Sequence, residues 1–133
     1  MVVYRGEETI DRQGEPLHLK IHCSTKDRRT VLTPLGDLDM AGAPSLRQAV
    51  IREVGEGHNT LVIDLSAVTF IDSSGLGVIV GALRRTRSHD GELVLVCPNP
   101  ELRRAFELCD LDRIFELHAD LEAATSKQGS MPG

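Results

Sequence analysis

The hydroxyls of Ser73 and Ser74 are the groups in this chain best placed for chemistry. They follow Asp72 directly in the stretch Phe70-Ile-Asp-Ser-Ser-Gly-Leu-Gly-Val-Ile-Val-Gly-Ala-Leu-Arg84. A serine hydroxyl can attack as a nucleophile, exchange hydrogen bonds or be esterified by phosphate, and each role needs different neighbours. A hydrolase elbow needs G-x-S-x-G, yet Ile71 and Asp72 stand two residues before Ser73 and Ser74. A phosphate loop needs G-x-x-x-x-G-K-[ST], which is absent. In a dinucleotide fingerprint begun at Gly75, Val80 occupies the place of the last glycine. No catalytic residue is therefore assigned. Nucleotide binding by an α/β protein stays as a lesser alternative, because a fold by itself excludes no function.

The glycines around the serines are the second signal. Leu76, Ile79, Val80 and Leu83 recur at the spacing of one helical face, and Asp72 or Ser73 suits the N-cap. Gly75, Gly77 and Gly81 then fall in the first turns, where each costs about 0.8 to 1 kcal/mol relative to alanine. Close helix-sheet packing accounts for Gly77 and Gly81. Gly75 instead keeps Ser73 and Ser74 open to an approaching macromolecule, at a helix terminus whose unpaired N–H groups favour negative charge and would accommodate a phosphate.

Other reactive side chains are dispersed. His18, His22, His58, His89 and His118 are scattered, and the two at a spacing of four, His18 and His22, would lie about 13 Å apart on a strand. They read as solvated or locally hydrogen-bonded, so no metal site is expected. Arg84, Arg85 and Arg87 complement the dipole at a helix C-terminus. Cys23, Cys97 and Cys109 are odd in number and lack C-x-x-C, which indicates reduced, mostly buried thiols. A redox pair of Cys97 with Cys109 is a minor alternative.

The serines need a scaffold, and hydrophobic periodicity supplies one. Leu17, Leu19, Ile21 and Cys23 alternate as in a half-buried strand, a polar turn spans Ser24 to Arg29, and Thr30 to Leu35 forms a second strand in which Pro34 marks a bulge or an end. Pro44 opens a helix with Leu46, Ala49, Val50 and Val54 on one face, and Gly55 stops it. The apolar runs Leu61–Leu65 and Leu93–Val96 flank the serine helix, as in a parallel strand-helix-strand unit. Asn99-Pro100 starts a helix through Cys109, Arg113–Leu117 reads as a last strand, and Ala119–Ala124 as a final helical turn or two. The fold class is α/β: a mostly parallel sheet of four to five strands with an antiparallel N-terminal edge, packed by about four helices. Residues 1–16 are a loose arm or an added edge element, 17–125 the domain, and 126–133 a disordered polar tail.

Bulk composition agrees. The chain of 133 residues is 41% hydrophobic and 26% charged, but only 3% aromatic with no Trp, so the core is aliphatic and offers no platform for stacking bases. A net charge of -5 disfavours nucleic acid and anionic lipid. No run approaches the roughly 20 apolar residues of a membrane span, and the N-terminus lacks signal-peptide regions, so a cytoplasmic location is expected.

Asp72-Ser-Ser-Gly-Leu-Gly77 after an aliphatic strand, with Gly36-Asp-Leu-Asp39 upstream and Leu93-Val-Leu-Val-Cys97 downstream, resembles the STAS domain of bacterial anti-sigma factor antagonists over roughly residues 17–125. The resemblance implies a protein that is no enzyme and holds no cofactor. Its implied partner is an anti-sigma factor with serine kinase activity, whose capture frees a sigma factor, and a phosphatase would reverse the modification. It places the phosphorylated residue at Ser73, with Asp72, Ser74 and Gly75 around it and Asp37 and Asp39 alongside in the partner-binding surface. Family members usually carry Glu where this chain has Asp37. A STAS accessory or scaffold subunit of a transporter or stress-signalling complex is the other reading that the resemblance leaves open.

Overall fold

The computed structural model describes residues 2–10 and 16–125. Six strands form one sheet in the order β1-β2-β3-β4-β5-β6: β1 Val2–Ile10, β2 Pro16–Lys26, β3 Arg29–Pro34, β4 Thr60–Asp64, β5 Glu92–Val96 and β6 Leu117–His118. β1 and β3 both pair antiparallel with β2, whereas β3-β4, β4-β5 and β5-β6 are parallel. The mixed α/β sheet with its antiparallel N-terminal edge is thus the expected one. β1 from the N-terminal segment and the very short β6 bring the strand number to six. The tail expected at 126–133 lies outside the described residues.

Among the described residues four helices join the sheet: α1 Ala43–Gly55, α2 Ser73–Ser88, α3 Pro100–Leu108 and α4 Leu121–Thr125. Alternation in β2 buries Leu19, Ile21 and Cys23 on the face covered by α1, α2 and α3, whose Leu46, Ile79, Leu83, Leu102 and Phe106 complete the main core. The opposite face buries Val31, Val62, Val94 and Val96 under Leu121 and Ala124 of α4. Because β4 and β5 are covered on both faces, they read as continuous apolar runs.

Two local readings change. The segment Ser24–Arg29 is mostly strand: β2 runs to Lys26, which pairs with Arg29, and the turn contracts to Asp27 and Arg28 at φ 51° and 68°. Positive φ at both central residues is the type I′ geometry that matches strand twist. Pro34 ends β3 opposite Ile21. The last strand is also shorter than Arg113–Leu117. After α3, Asp110 adopts a left-handed conformation (φ 57°), Leu111–Arg113 form a 3-10 turn, and only Leu117 and His118 pair, with Leu95 and Val96. Phe115 still turns inward and meets Phe106 edge-on at 6.0 Å.

Candidate functional site

Between β4 and α2 the chain makes a loop anchored by the buried Leu65 and Val68. It then runs beside the Gly36–Asp39 turn: the Leu38 N–H donates to the Phe70 carbonyl at 3.0 Å, and the Asp72 N–H to the Leu38 carbonyl at 3.2 Å. This parallel bridge of Leu38 with Ile71 brings two distant sequence motifs together. Asp37 and Asp39 therefore flank the segment that carries Asp72 and Ser73.

Asp72 is extended (φ -117°, ψ -169°) and caps α2, its carboxylate accepting from the Ser74 N–H at 2.8 Å and the Gly75 N–H at 3.2 Å. Ser73 is then the first helical residue and is exposed, Ser74 is half-buried and Gly75 is buried. Among the described residues no side chain hydrogen-bonds to the Ser73 hydroxyl, so none of them holds it away from a visitor. The Asp72 carboxylate already occupies two of the terminal amides expected to favour a phosphate. A phosphate at this helix end would meet that negative charge.

The glycine roles also reverse. A Cβ on Gly75 would lie 2.3 Å from the Leu38 carbonyl oxygen and 2.7 Å from Ile71 Cγ1, so this glycine lets α2 seat against the Leu38 turn. Gly77 and Gly81 have open space where a Cβ would stand, and close packing does not explain them. The helix face turned to the core is Gly75, Ile79, Ala82, Leu83 and Thr86, with Leu76 and Val80 at its margins.

The two other predicted acids hold turns. Asp39 Oδ1 accepts from the Ala41 and Gly42 N–H groups at 3.1 and 2.9 Å and shapes the entry to α1. Asp37 is exposed, and its Oδ1 accepts from the Thr69 hydroxyl at 3.4 Å. Sequence reasoning missed two apolar side chains beside these acids, Met40 at 76% exposure and Phe70 at 51%. Their signal was position, since each adjoins a motif residue in a loop where burial has no periodic pattern to follow. It also missed a groove of about 420 Å³ that runs from Ser73 and Ser74 between α1 and α2.

Elsewhere, the wholly buried Glu53 accepts from Arg52 Nη2 at 3.0 Å and Nε at 3.2 Å, and its other oxygen lies 2.8 Å from His58 Nδ1. Glu53, Glu56 and His58 bring one ligand atom each within 4.8 Å of one another. With both Glu53 oxygens already engaged, the cluster is a neutralised buried carboxylate tying the end of α1 to the following loop. Cys23 and Cys97 are buried and Cys109 is exposed, and none of the three is in a disulfide. Burial pushes the Cys97 thiol up, an effect that nearby Arg103 partly offsets. Among the described residues no helix is long and apolar enough to cross a membrane.

Comparison with known proteins gives a consistent result. The family model of the STAS domain matches residues 20–124. An anti-sigma-B factor antagonist of Listeria monocytogenes is 41% identical over 83 residues, 62% of this chain and 72% of that protein. The crystal structure of an anti-sigma factor antagonist from Mycobacterium paratuberculosis superposes with a TM-score of 0.73 at 33% identity, covering 82% of this chain and 92% of that one. A Thermotoga maritima crystal structure, described as a candidate anti-sigma factor antagonist, gives a TM-score of 0.75 at 32% identity over 79% of this chain and 91% of that one.

Proposed function

The chain belongs to the STAS domain family, and from that premise we propose that it is an anti-sigma factor antagonist, binding an anti-sigma factor and so freeing a sigma factor. The domain is the unit 17–125. The partner is an anti-sigma factor with serine kinase activity, and Ser73 is the residue it modifies. The γ-phosphoryl group of ATP passes to Ser73 Oγ as the bond to the β-phosphate breaks, and the hydroxyl proton leaves to a base on the kinase. This chain supplies the acceptor and the docking surface, and catalyses nothing.

The observation that carries this reading is an exposed hydroxyl at the first position of α2, beside a cap that fixes its backbone, in a groove that the exposed Met40 also lines and three residues after the exposed Phe70. Such a surface suits a macromolecule, because apolar side chains in loops gain from being covered while the hydroxyl stays reachable. Phosphate on Ser73 adds about -1.5 to -2 charge at pH 7. That charge falls next to Asp72, near Asp37 and Asp39, in an interface fitted to a neutral hydroxyl. Docking is lost while the fold, whose core lies behind Gly75, is kept. A phosphatase would then restore the active form.

The test is incubation with ATP, Mg²⁺ and the anti-sigma factor of the same organism, read by peptide mass. One phosphate on the peptide containing Ser73, absent from Ser73→Ala, is the expected result. Phosphate on another residue, or undiminished anti-sigma binding by Ser73→Glu, would count against it.

A further inference from the structure

The groove between α1 and α2 is a feature that the switch at Ser73 does not require. Its floor is Gly77 and Gly81, where nothing stands within 4 Å of a built Cβ. Glycine in a helix interior destabilises it, and here no contact within the fold explains that choice twice over. The walls carry Arg47 of α1 and Arg85 of α2, both exposed, and among the described residues no acid lines the groove. Among the described residues neither guanidinium is paired with a carboxylate. In a chain of net charge -5, a channel bearing arginines and no acid is a local reversal of sign. The far end opens on Ser73 and Ser74. At about 1.5 Å of rise per residue, Ser73 and Arg85 stand roughly 18 Å apart along α2.

We propose that this groove receives an acidic segment of the anti-sigma factor, with its apolar side on the Gly77 and Gly81 floor and its carboxylates toward Arg47 and Arg85. The inference rests on the anti-sigma reading and deepens it, because one partner then holds the Ser73 end and the arginine end together. The glycines let that segment approach the backbone of α2, and the arginines orient it along the groove. Phosphate at Ser73 closes one end only. The arginine end sets affinity and choice of partner.

The experiment measures binding of the full chain to the anti-sigma factor of the same organism by titration calorimetry at low and at high salt. The variants are Arg47→Glu with Arg85→Glu, and Ser73→Glu in parallel. Thermal unfolding of the double variant should match the wild type, since both arginines are exposed. The expected result is a loss of affinity of about tenfold or more at low salt and a flatter salt dependence. Rescue by an acid-to-lysine change on the partner would place the acidic segment in the groove. Wild-type affinity and salt dependence in the arginine variant, with binding still lost in Ser73→Glu, would overturn the groove assignment and leave the antagonist reading standing. Failure of the unmodified wild type to bind the anti-sigma factor would overturn both.

Discussion

Ser73 owes its exposure to its neighbours: Asp72 holds the amides of Ser74 and Gly75 at 2.8 and 3.2 Å, which starts the helix at the serine. Replacing the cap, Asp72→Ala, should destabilise the domain by about 0.5 to 2 kcal/mol in urea unfolding, whereas Ser73→Ala should stay within about 0.5 kcal/mol. The three glycines divide just as sharply. Gly75→Ala drives a methyl into the Leu38 carbonyl and should cost about 1 to 3 kcal/mol, with the Leu38 turn pushed from its bridge. Gly77→Ala and Gly81→Ala meet open space and should each stabilise the fold by about 0.8 to 1 kcal/mol on the same measurement. A chain that keeps these two glycines against that gain has a use for the space above them.

At the scale of elements, strand and helix identities follow from periodicity, while their ends follow from single backbone conformations. The β2-β3 hairpin turns at Asp27 and Arg28, and a non-glycine residue at φ 68° is strained. Arg28→Gly should therefore raise stability by about 1 kcal/mol, seen as a higher urea midpoint with an unchanged slope. Polarity alone marks Ser24–Arg29 as one long turn, because Ser24 and Lys26 look solvent-facing in the sequence. In the fold both are buried in β2, and the Lys26 ammonium reaches Glu122 of α4 at 3.4 Å. The segment after α3 misled for the opposite reason. Ile114, Phe115 and Leu117 have strand character, but the left-handed Asp110 and the 3-10 turn use up the chain before it can pair.

At the scale of the whole molecule, the sheet has one deep core and one thin one. Three helices cover the first face, whereas the five-residue α4 covers Val31, Val62, Val94 and Val96 on the second. Ala124 is wholly buried there, so Ala124→Asp should destabilise by more than about 2 kcal/mol and expose apolar surface to a hydrophobic dye. The same variant should leave the Ser73 end of α2 chemically intact, since site and thin core lie on opposite faces of the sheet. Separation of this kind lets a surface charge change partner binding without unfolding the scaffold.

Much of this was legible without coordinates. The order of strands and helices, the parallel crossover around α2, the fold class and the Asp72-Ser73-Ser74-Gly75 constellation all depend on neighbours in sequence, and local periodicity and capping carry that information. Tertiary structure decided what depends on residues far apart in the chain. Only the Leu38–Ile71 bridge makes Gly75 a packing residue rather than a clearing for the serines, and only the placement of α1 against α2 turns Gly77, Gly81, Arg47 and Arg85 into one groove. A glycine reads alike in sequence whether its missing methyl would strike a carbonyl or hang in open solvent, and the difference lies in which distant backbone the fold brings up to it.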